Sequence, residues 1–148
     1  MNPSSDLVNK LWRLCAILRK DGITYQQYVT ELTYLLFLKM MHEQGREDDF
    51  LPEAYRWSTL TAREGVDQLT HYRRLLTELG NPENKLPRRV SAIFDNASTF
   101  LREPVNLAKL VSSIDALDWY SADRDSFGDL YEGLLQKNAE ETKKGAGQ

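Results

Sequence analysis

Apolar residues recur three and four positions apart along most of the chain, which is the spacing of one face of a helix. No segment shows the convincing alternation of a half-buried strand. The first helical segment places five apolar side chains on one face: Leu7, Leu11, Leu14, Cys15 and Leu18. Ser4 or Ser5 can cap this helix and Gly22 can end it. The pattern therefore predicts an amphipathic first helix.

The next segment is apolar on nearly every side. Thr24 followed three residues later by Gln27 is a capping-box pattern, and it opens a predicted helix from Tyr25 to Gln44. Apolar side chains there point all around the helix axis: Leu32, Tyr34, Leu35, Leu36, Phe37, Leu38, Met40 and Met41. A helix of this kind has to be surrounded by others, so we expect it to be the central core helix. Gly45 is predicted to end it, with an acidic loop after it.

The middle of the chain is less regular. Phe50 to Arg63 predicts a short irregular stretch that includes one helical turn, for which Ser58 is a possible cap. A clear helix follows, with a buried face of four residues: Leu69, Tyr72, Leu76 and Leu79. Gly80 is expected to end that helix, and Asn81-Pro82 to form a turn.

Two more helices are predicted after that turn, with a shorter segment before them. The segment Val90 to Phe94 fits helix or strand by periodicity, and its helical neighbours favour helix. Pro104 suits the first position of a helix whose buried stripe is Leu107, Leu110, Val111, Ile114 and Leu117. The last helix carries Phe127, Leu130, Tyr131, Leu134 and Leu135 on one face. The predicted fold class is all-α, a single multi-helix bundle domain.

Composition is that of an ordinary folded domain. The chain has 148 residues, of which 41% are hydrophobic and 28% charged, so it can bury a core without disulfides or metals. The single cysteine, Cys15, is expected to be a small core residue, and it fits a reducing cytoplasm. The longest apolar stretch, Tyr34 to Met41, is far shorter than the ~20 residues of a membrane span. The expected location is cytoplasmic, with no membrane partner.

The chain lacks the residues that a catalytic centre needs. His42 and His71 are the only histidines, and neither has partners at the helical spacing of a metal site beyond pairs expected by chance, so we expect no metal ligands. Gly145-Ala146-Gly147 follows a helix and not a strand, which is the wrong context for a phosphate-cradling loop. Carboxylate pairs such as Asp115 with Asp118 are expected to be solvated surface charges. No catalytic residue is predicted.

A formal net charge of −3 argues against a self-contained protein that binds DNA through bulk positive charge. The charge is unevenly distributed, however, and one basic group stands in the middle of the chain: Arg73, Arg74, Lys85, Arg88 and Arg89. A turn between two helices could bring these side chains onto one surface that meets DNA phosphates or a partner. A solvated helix face remains the alternative.

Several blocks of sequence carry a family resemblance. The closing stretch, Gly128 to Gln148, is GDLYEGLLQKNAEETKKGAGQ, and the opening stretch, Leu11 to Met40, is LWRLCAILRKDGITYQQYVTELTYLLFLKM. Together with LPEAYRW (51–57) and ALDWY (116–120) they resemble the N-terminal helical domain of the modification subunit of type I restriction-modification enzymes. The likeness implies that residues 1–139 form this domain and that 140–148 begin a linker into a methyltransferase domain.

The resemblance implies a full-length enzyme that uses S-adenosylmethionine to methylate the exocyclic amine of adenine in double-stranded DNA. Its partners would be a specificity subunit, a second modification subunit and a restriction (motor-nuclease) subunit. The glycine loop for the cofactor and the motif that holds the flipped adenine are missing from this sequence, so we expect the chain alone to be non-catalytic. By position in the family, Gln148 would contact the cofactor. The role left to the chain is subunit assembly and DNA clamping.

Two other hypotheses stay open at this point. One is a freestanding helical adaptor that binds a protein partner and has no enzyme attached. The other, a self-contained basic DNA-binding protein, is disfavoured by the net charge. An open reading frame that continued past Gln148 into an aromatic-Thr-Pro motif would favour the enzyme over the adaptor.

Overall fold

Helices joined by short turns make up the structure, a computed structural model that describes residues 22–116 together with Asn9, Arg13, Cys15, Ala16 and 18–20. No β-strand occurs among these residues, and the all-α prediction is confirmed. The last predicted helix and the boundary expected near residues 139 and 140 lie outside the described residues.

Six α-helices are described over their full length: α1 (Tyr25–Glu43), α2 (Glu47–Phe50), α3 (Trp57–Thr61), α4 (Gly65–Leu79), α5 (Arg88–Ile93) and α6 (Pro104–Asp115). Two turns of 3-10 helix separate some of them: Glu53–Tyr55 and Pro82–Asn84. Before α1, the described residues between positions 9 and 19 are helical, as the first amphipathic pattern predicts.

The capping box at the start of α1 is present as predicted. The Thr24 backbone N–H donates to Oε1 of Gln27 at 3.0 Å, and the Gln27 N–H donates to Oγ1 of Thr24 at 3.1 Å. Each side chain thus satisfies a backbone donor that the first turn of a helix leaves unpaired. Gly22 and Gly45, with φ of 90° and 66°, adopt the left-handed conformation expected where helices end.

Two local predictions are wrong. The acidic stretch after Gly45 is not a loop, because α2 forms there, and acidic side chains in a first turn favour a helix. Ser58 is not a cap, since the capping position of α3 is Arg56, in an extended conformation, and Ser58 lies inside the helix. The buried Trp57 therefore stands at the first position of α3.

The remaining helices follow their sequence signals. α4 ends at Leu79 with Gly80 as its C-cap, and α6 begins at Pro104. Val90 to Phe94 is largely helical, in α5, which confirms helix over strand. Of the eight apolar residues of α1 that were predicted to point all around its axis, seven are buried, and only Met40 is half-buried. The prediction of a core helix is confirmed.

By its contacts the chain divides into two compact units. The first comprises Met1–Leu32 and Asp118–Gln148. Among its described residues Cys15 and Tyr28 are fully buried, and burial raises the pKa of the Tyr28 phenol well above its usual value. The Arg19 guanidinium lies 4.1 Å from the centroid of the Tyr25 ring and donates a hydrogen bond to its phenol oxygen at 2.6 Å.

The second unit is Thr33–Leu117. In it α4 packs along α6, and α3 contacts both. Phe94, at the end of α5, is fully buried; its ring stacks on Tyr34 at 5.5 Å and meets Phe37 edge-on at 5.9 Å. Gly80 lies so close to the backbone of Phe94 that a Cβ there would overlap the Phe94 carbonyl oxygen. The end of α4 is therefore in direct contact with the end of α5.

Candidate functional site

All five basic residues singled out in the sequence are exposed: Arg73, Arg74, Lys85, Arg88 and Arg89. Over the described ranges none of them has a carboxylate oxygen within 4.0 Å. Three other basic residues of the same region are ion-paired: Lys39, Arg56 and Arg63. The mid-chain basic group is thus a set of solvated cations whose charge is not neutralised locally.

The elements place these cations in different ways. α4 buries Tyr72 and Leu75, so Arg73 and Arg74 between them face solvent. Lys85 stands in the turn after the 3-10 helix with a φ of 50°, in the left-handed region. Arg88 and Arg89 open α5. The structure shows the exposure of these residues, and for one of them it also shows a shared contact.

That contact is the ring of Phe50, which lies at the end of α2. The Arg89 guanidinium is 5.9 Å from its centroid, and the guanidinium of Arg46 is 5.0 Å from the same centroid. A cation over an aromatic face at an exposed site contributes roughly 0.5–1 kcal/mol, which favours this side-chain placement by a few-fold. Sequence reasoning found Arg89 and missed Arg46 and Phe50. The Arg-Phe spacing of four residues was the local signal available.

The acidic residues beside this ring are mostly engaged elsewhere. Oδ1 of Asp48 pairs with the Arg56 guanidinium at 2.9 Å, and Oε1 of Glu47 is 3.3 Å from Nδ1 of His42. Asp49 is exposed and has no ion pair within the described part of the chain. The Glu47 contact is an ion pair only when His42 is protonated, and Oε2 of Glu47 is buried with no hydrogen-bond partner among the described residues. The positive charge around Phe50 is therefore partly offset by Glu47 and Asp49.

A buried polar network lies elsewhere in the second unit. Nζ of Lys39, almost fully buried, is 2.8 Å from Oε1 of Glu43 and 3.7 Å from Oδ1 of Asp115. The indole N–H of Trp57 donates to the same Asp115 oxygen at 2.9 Å. The network joins α1, α3 and α6, and it satisfies a buried cation and a buried indole. This arrangement supports a structural role, since the buried ammonium and the buried indole N–H both have partners within the fold. Asp115 was expected to be a solvated surface charge; its side chain is 51% exposed, yet it accepts from Trp57.

An open pocket of about 400 Å³ adjoins this network. It is lined by Thr61, Gln68, Ala108, Val111, Ser112, Asp115 and Ala116. Nε2 of the buried Gln68 donates to the Leu60 carbonyl at 2.9 Å, while its Oε1 has no hydrogen-bond partner among the described residues.

The histidines are not arranged as metal ligands. Nε2 of His71 lies 2.9 Å from Oγ1 of Thr59, and its ring stacks on Tyr55. Burial, followed by the charge of Arg63, lowers the pKa of His71. In the part of the chain that the structure describes, no three His, Cys, Asp or Glu side chains form a group that could hold a metal ion.

Two residues considered in the sequence analysis lie outside the described ranges. Gln148, the residue for which the resemblance implies cofactor contact, lies outside them, as does Asp118. No helix within these ranges is both long and apolar enough to cross a membrane.

Comparison with known proteins agrees with the helical architecture. Residues 7–114 match the family model described as HsdM N-terminal domain. The chain is 57% identical to the type I restriction enzyme StySJI methylase subunit of Salmonella typhimurium and 54% identical to the EcoKI methylase subunit of Escherichia coli K12, over 98% of this chain in both cases. It spans only 28% of the length of each of these relatives.

A solved structure gives the same result. The crystal structure of the type I restriction enzyme EcoKI M protein superposes with a TM-score of 0.69 at 51% sequence identity, covering 77% of this chain and 23% of that one. Family model, relatives and structure point the same way: the chain belongs to the HsdM N-terminal domain family, the N-terminal domain of type I restriction enzyme methylase subunits.

Proposed function

We propose that this chain is the helical part of a longer enzyme that transfers a methyl group from S-adenosylmethionine to the exocyclic amine of adenine in double-stranded DNA. One observation carries the proposal: identity of 57% to a methylase subunit extends over 98% of the chain, yet reaches only 28% of that subunit. Most of the relative's length has no counterpart here. It is in that remainder that we place the cofactor pocket and the adenine pocket.

The chain itself is then non-catalytic and serves assembly and DNA clamping in the cytoplasm. The subunits that we propose as its partners are a specificity subunit, a second modification subunit and a restriction subunit. Support comes from the exposed cations without carboxylate partners, such as Arg73 and Arg89, that the second unit carries in its described residues. Gln148 remains a prediction as a cofactor contact. The methylase relatives favour this proposal over a freestanding adaptor.

The test compares the 148-residue chain with the protein encoded by the complete reading frame, each mixed with the specificity subunit. Transfer of tritiated methyl groups from S-adenosylmethionine to duplex DNA is measured, together with cofactor binding by calorimetry. We expect both activities in the complete protein and neither in the chain alone. A complete protein that binds no cofactor and methylates nothing would overturn the proposal and leave the adaptor as the better account.

A third sample separates catalysis from assembly. A complete protein from which residues 1–139 are deleted should still bind the cofactor, because the proposed pocket and Gln148 lie in the remainder. It should fail to form a stable complex with DNA and the specificity subunit. Retention of full DNA affinity by this deletion would contradict the assembly and clamping role.

A further inference from the structure

We propose that Arg46, Phe50 and Arg89 form a contact for the phosphodiester backbone of duplex DNA. This inference rests on the proposed function and names the surface with which the domain meets its substrate. The three residues are called the Phe50 clamp below. Arg46 immediately precedes α2, Phe50 is the last residue of α2, and Arg89 lies in α5.

The geometry brings two cations to one place. The guanidinium carbons lie 5.0 and 5.9 Å from the centroid of one ring, so Arg46 and Arg89 are no more than about 11 Å apart. Neither has a carboxylate within 4.0 Å in the described part of the chain. Two like charges held close together, with no carboxylate paired to either, attract an anion.

The ring also orders the two side chains before any ligand arrives. A free arginine loses considerable rotamer freedom when it is immobilised, and this cost weakens binding. Because both guanidiniums already rest against Phe50, part of that entropy is lost on folding and not on binding. Phe50 itself is half-buried, which restricts the movement of the ring.

The observations favour a polyanion over a single anion. Lys85 and Arg88 precede Arg89 in the chain, are exposed and lack carboxylate partners among the described residues. Duplex DNA carries one phosphate per about 3.4 Å of axis on each strand, so a group of cations can meet several phosphates. Arginine also binds phosphate through two parallel hydrogen bonds, which suits a backbone contact.

The exposed carboxylate of Asp49 allows a second test. Asp49 is exposed, has no ion pair within the described ranges, and directly precedes Phe50. Its carboxylate should repel a phosphate at the Phe50 clamp. Asp49→Asn therefore should strengthen DNA binding, whereas loss of the arginines should weaken it.

The experiment uses the complete methylase with its specificity subunit and fluorescein-labelled duplexes, one carrying the target sequence and one of unrelated sequence. The test variant is Arg46→Gln with Arg89→Gln. Its matched control is Arg102→Gln with Lys109→Gln, which removes the same charge from two exposed, unpaired cations that contact no aromatic ring in the described region. Fluorescence anisotropy gives the affinity at several salt concentrations.

Loss of two phosphate contacts should weaken binding on the order of tenfold or more at about 0.1 M salt and lower the slope of log affinity against log salt by about 2. The loss should be equal for the two duplexes, because backbone contacts do not distinguish sequence. The control pair should change the slope by less than half as much. Arg46→Lys with Arg89→Lys, which keeps the charge, should restore the slope.

Three outcomes overturn the proposal. The first is an affinity and slope in the glutamine variant that match those of the control while methyl transfer persists; the proposed function would then stand without the Phe50 clamp. The second is a loss confined to the target duplex, which would indicate base recognition. The third is loss of the specificity subunit with DNA affinity unchanged, which would make the clamp a protein contact. Absence of methyl transfer and DNA binding in the wild-type complex would instead refute the proposed function itself.

Discussion

Replacement of Gly80 by alanine tests the close contact between the ends of α4 and α5. Gly80 has φ of −91° and ψ of −3°, outside the left-handed region, so its backbone conformation does not require glycine. The obstacle to a larger residue is the Phe94 carbonyl oxygen, which an added Cβ would overlap. Because this oxygen belongs to the backbone, it cannot rotate away, and the turn between the helices has to open.

Two opposing effects set the size of the change. Alanine restricts the unfolded chain, which by itself stabilises a protein by about 0.4–1 kcal/mol. An added methyl group in a closely packed site costs about 1–3 kcal/mol, because neighbouring atoms have to shift. Movement of Phe94 also disturbs its ring contacts with Tyr34 and Phe37. The overlap should prevail, and we expect the free energy of unfolding to fall by about 1–2 kcal/mol.

Urea unfolding followed by far-ultraviolet circular dichroism measures this change as a lower midpoint at unchanged slope. Gly45→Ala is the control, since its φ of 66° makes alanine strained there while its Cβ meets nothing within 4 Å. Both variants should be destabilised, but only Gly80→Ala should shift the aromatic NMR signals of Phe94 and Tyr34. A Gly80→Ala protein as stable as the wild type would refute the reasoning.

Three further changes test other parts of the fold. Trp57→Phe removes the indole donor to Asp115 and part of a buried ring, and should lower the free energy of unfolding by about 2 kcal/mol in urea titration; a loss below about 0.5 kcal/mol would contradict the buried network. Thr24→Ala breaks the reciprocal bonds with Gln27 and should cost about 1 kcal/mol, while Thr24→Ser should cost less; equal losses in the two variants would argue against the cap. The pKa of His71 is lowered in the folded state, so the unfolded state takes up a proton more readily than the folded state. The contribution of His71 to stability is therefore complete above the ordinary histidine pKa of about 6.5, and it is lost as the pH falls below that value. His71→Gln should flatten the urea midpoint against pH in that window, and an unchanged pH profile would rule His71 out as its source.

Local rules were sufficient where the cause of a structure lies within a few residues. The capping box of Thr24 and Gln27, the start of α6 at Pro104 and the end of α4 near Gly80 all depend on backbone groups next to the residue concerned. The all-round apolar pattern of the segment that became α1 likewise predicted its burial. Where local signals competed, as at Ser58, the burial of Trp57 set the helix start instead.

Only part of the candidate site could be predicted from the sequence. The basic group was evident from composition, but nothing near Arg89 indicates that its guanidinium meets the same ring as Arg46. That contact joins residues far apart in the chain, so it depends on how the helices pack. The same holds for Lys39, which looks like an exposed charge in an apolar helix and is buried beside Asp115.

By itself the sequence determined the helical class, the positions of most helix ends and, through its resemblance to known modification subunits, the family. These properties follow from side-chain periodicity, from capping chemistry and from the order of residues. The tertiary structure alone decided which charges are neutralised, which glycine has no room for a side chain and which arginines share an aromatic ring. Such features are distances between residues remote in sequence, and they exist only once the helices have packed against one another.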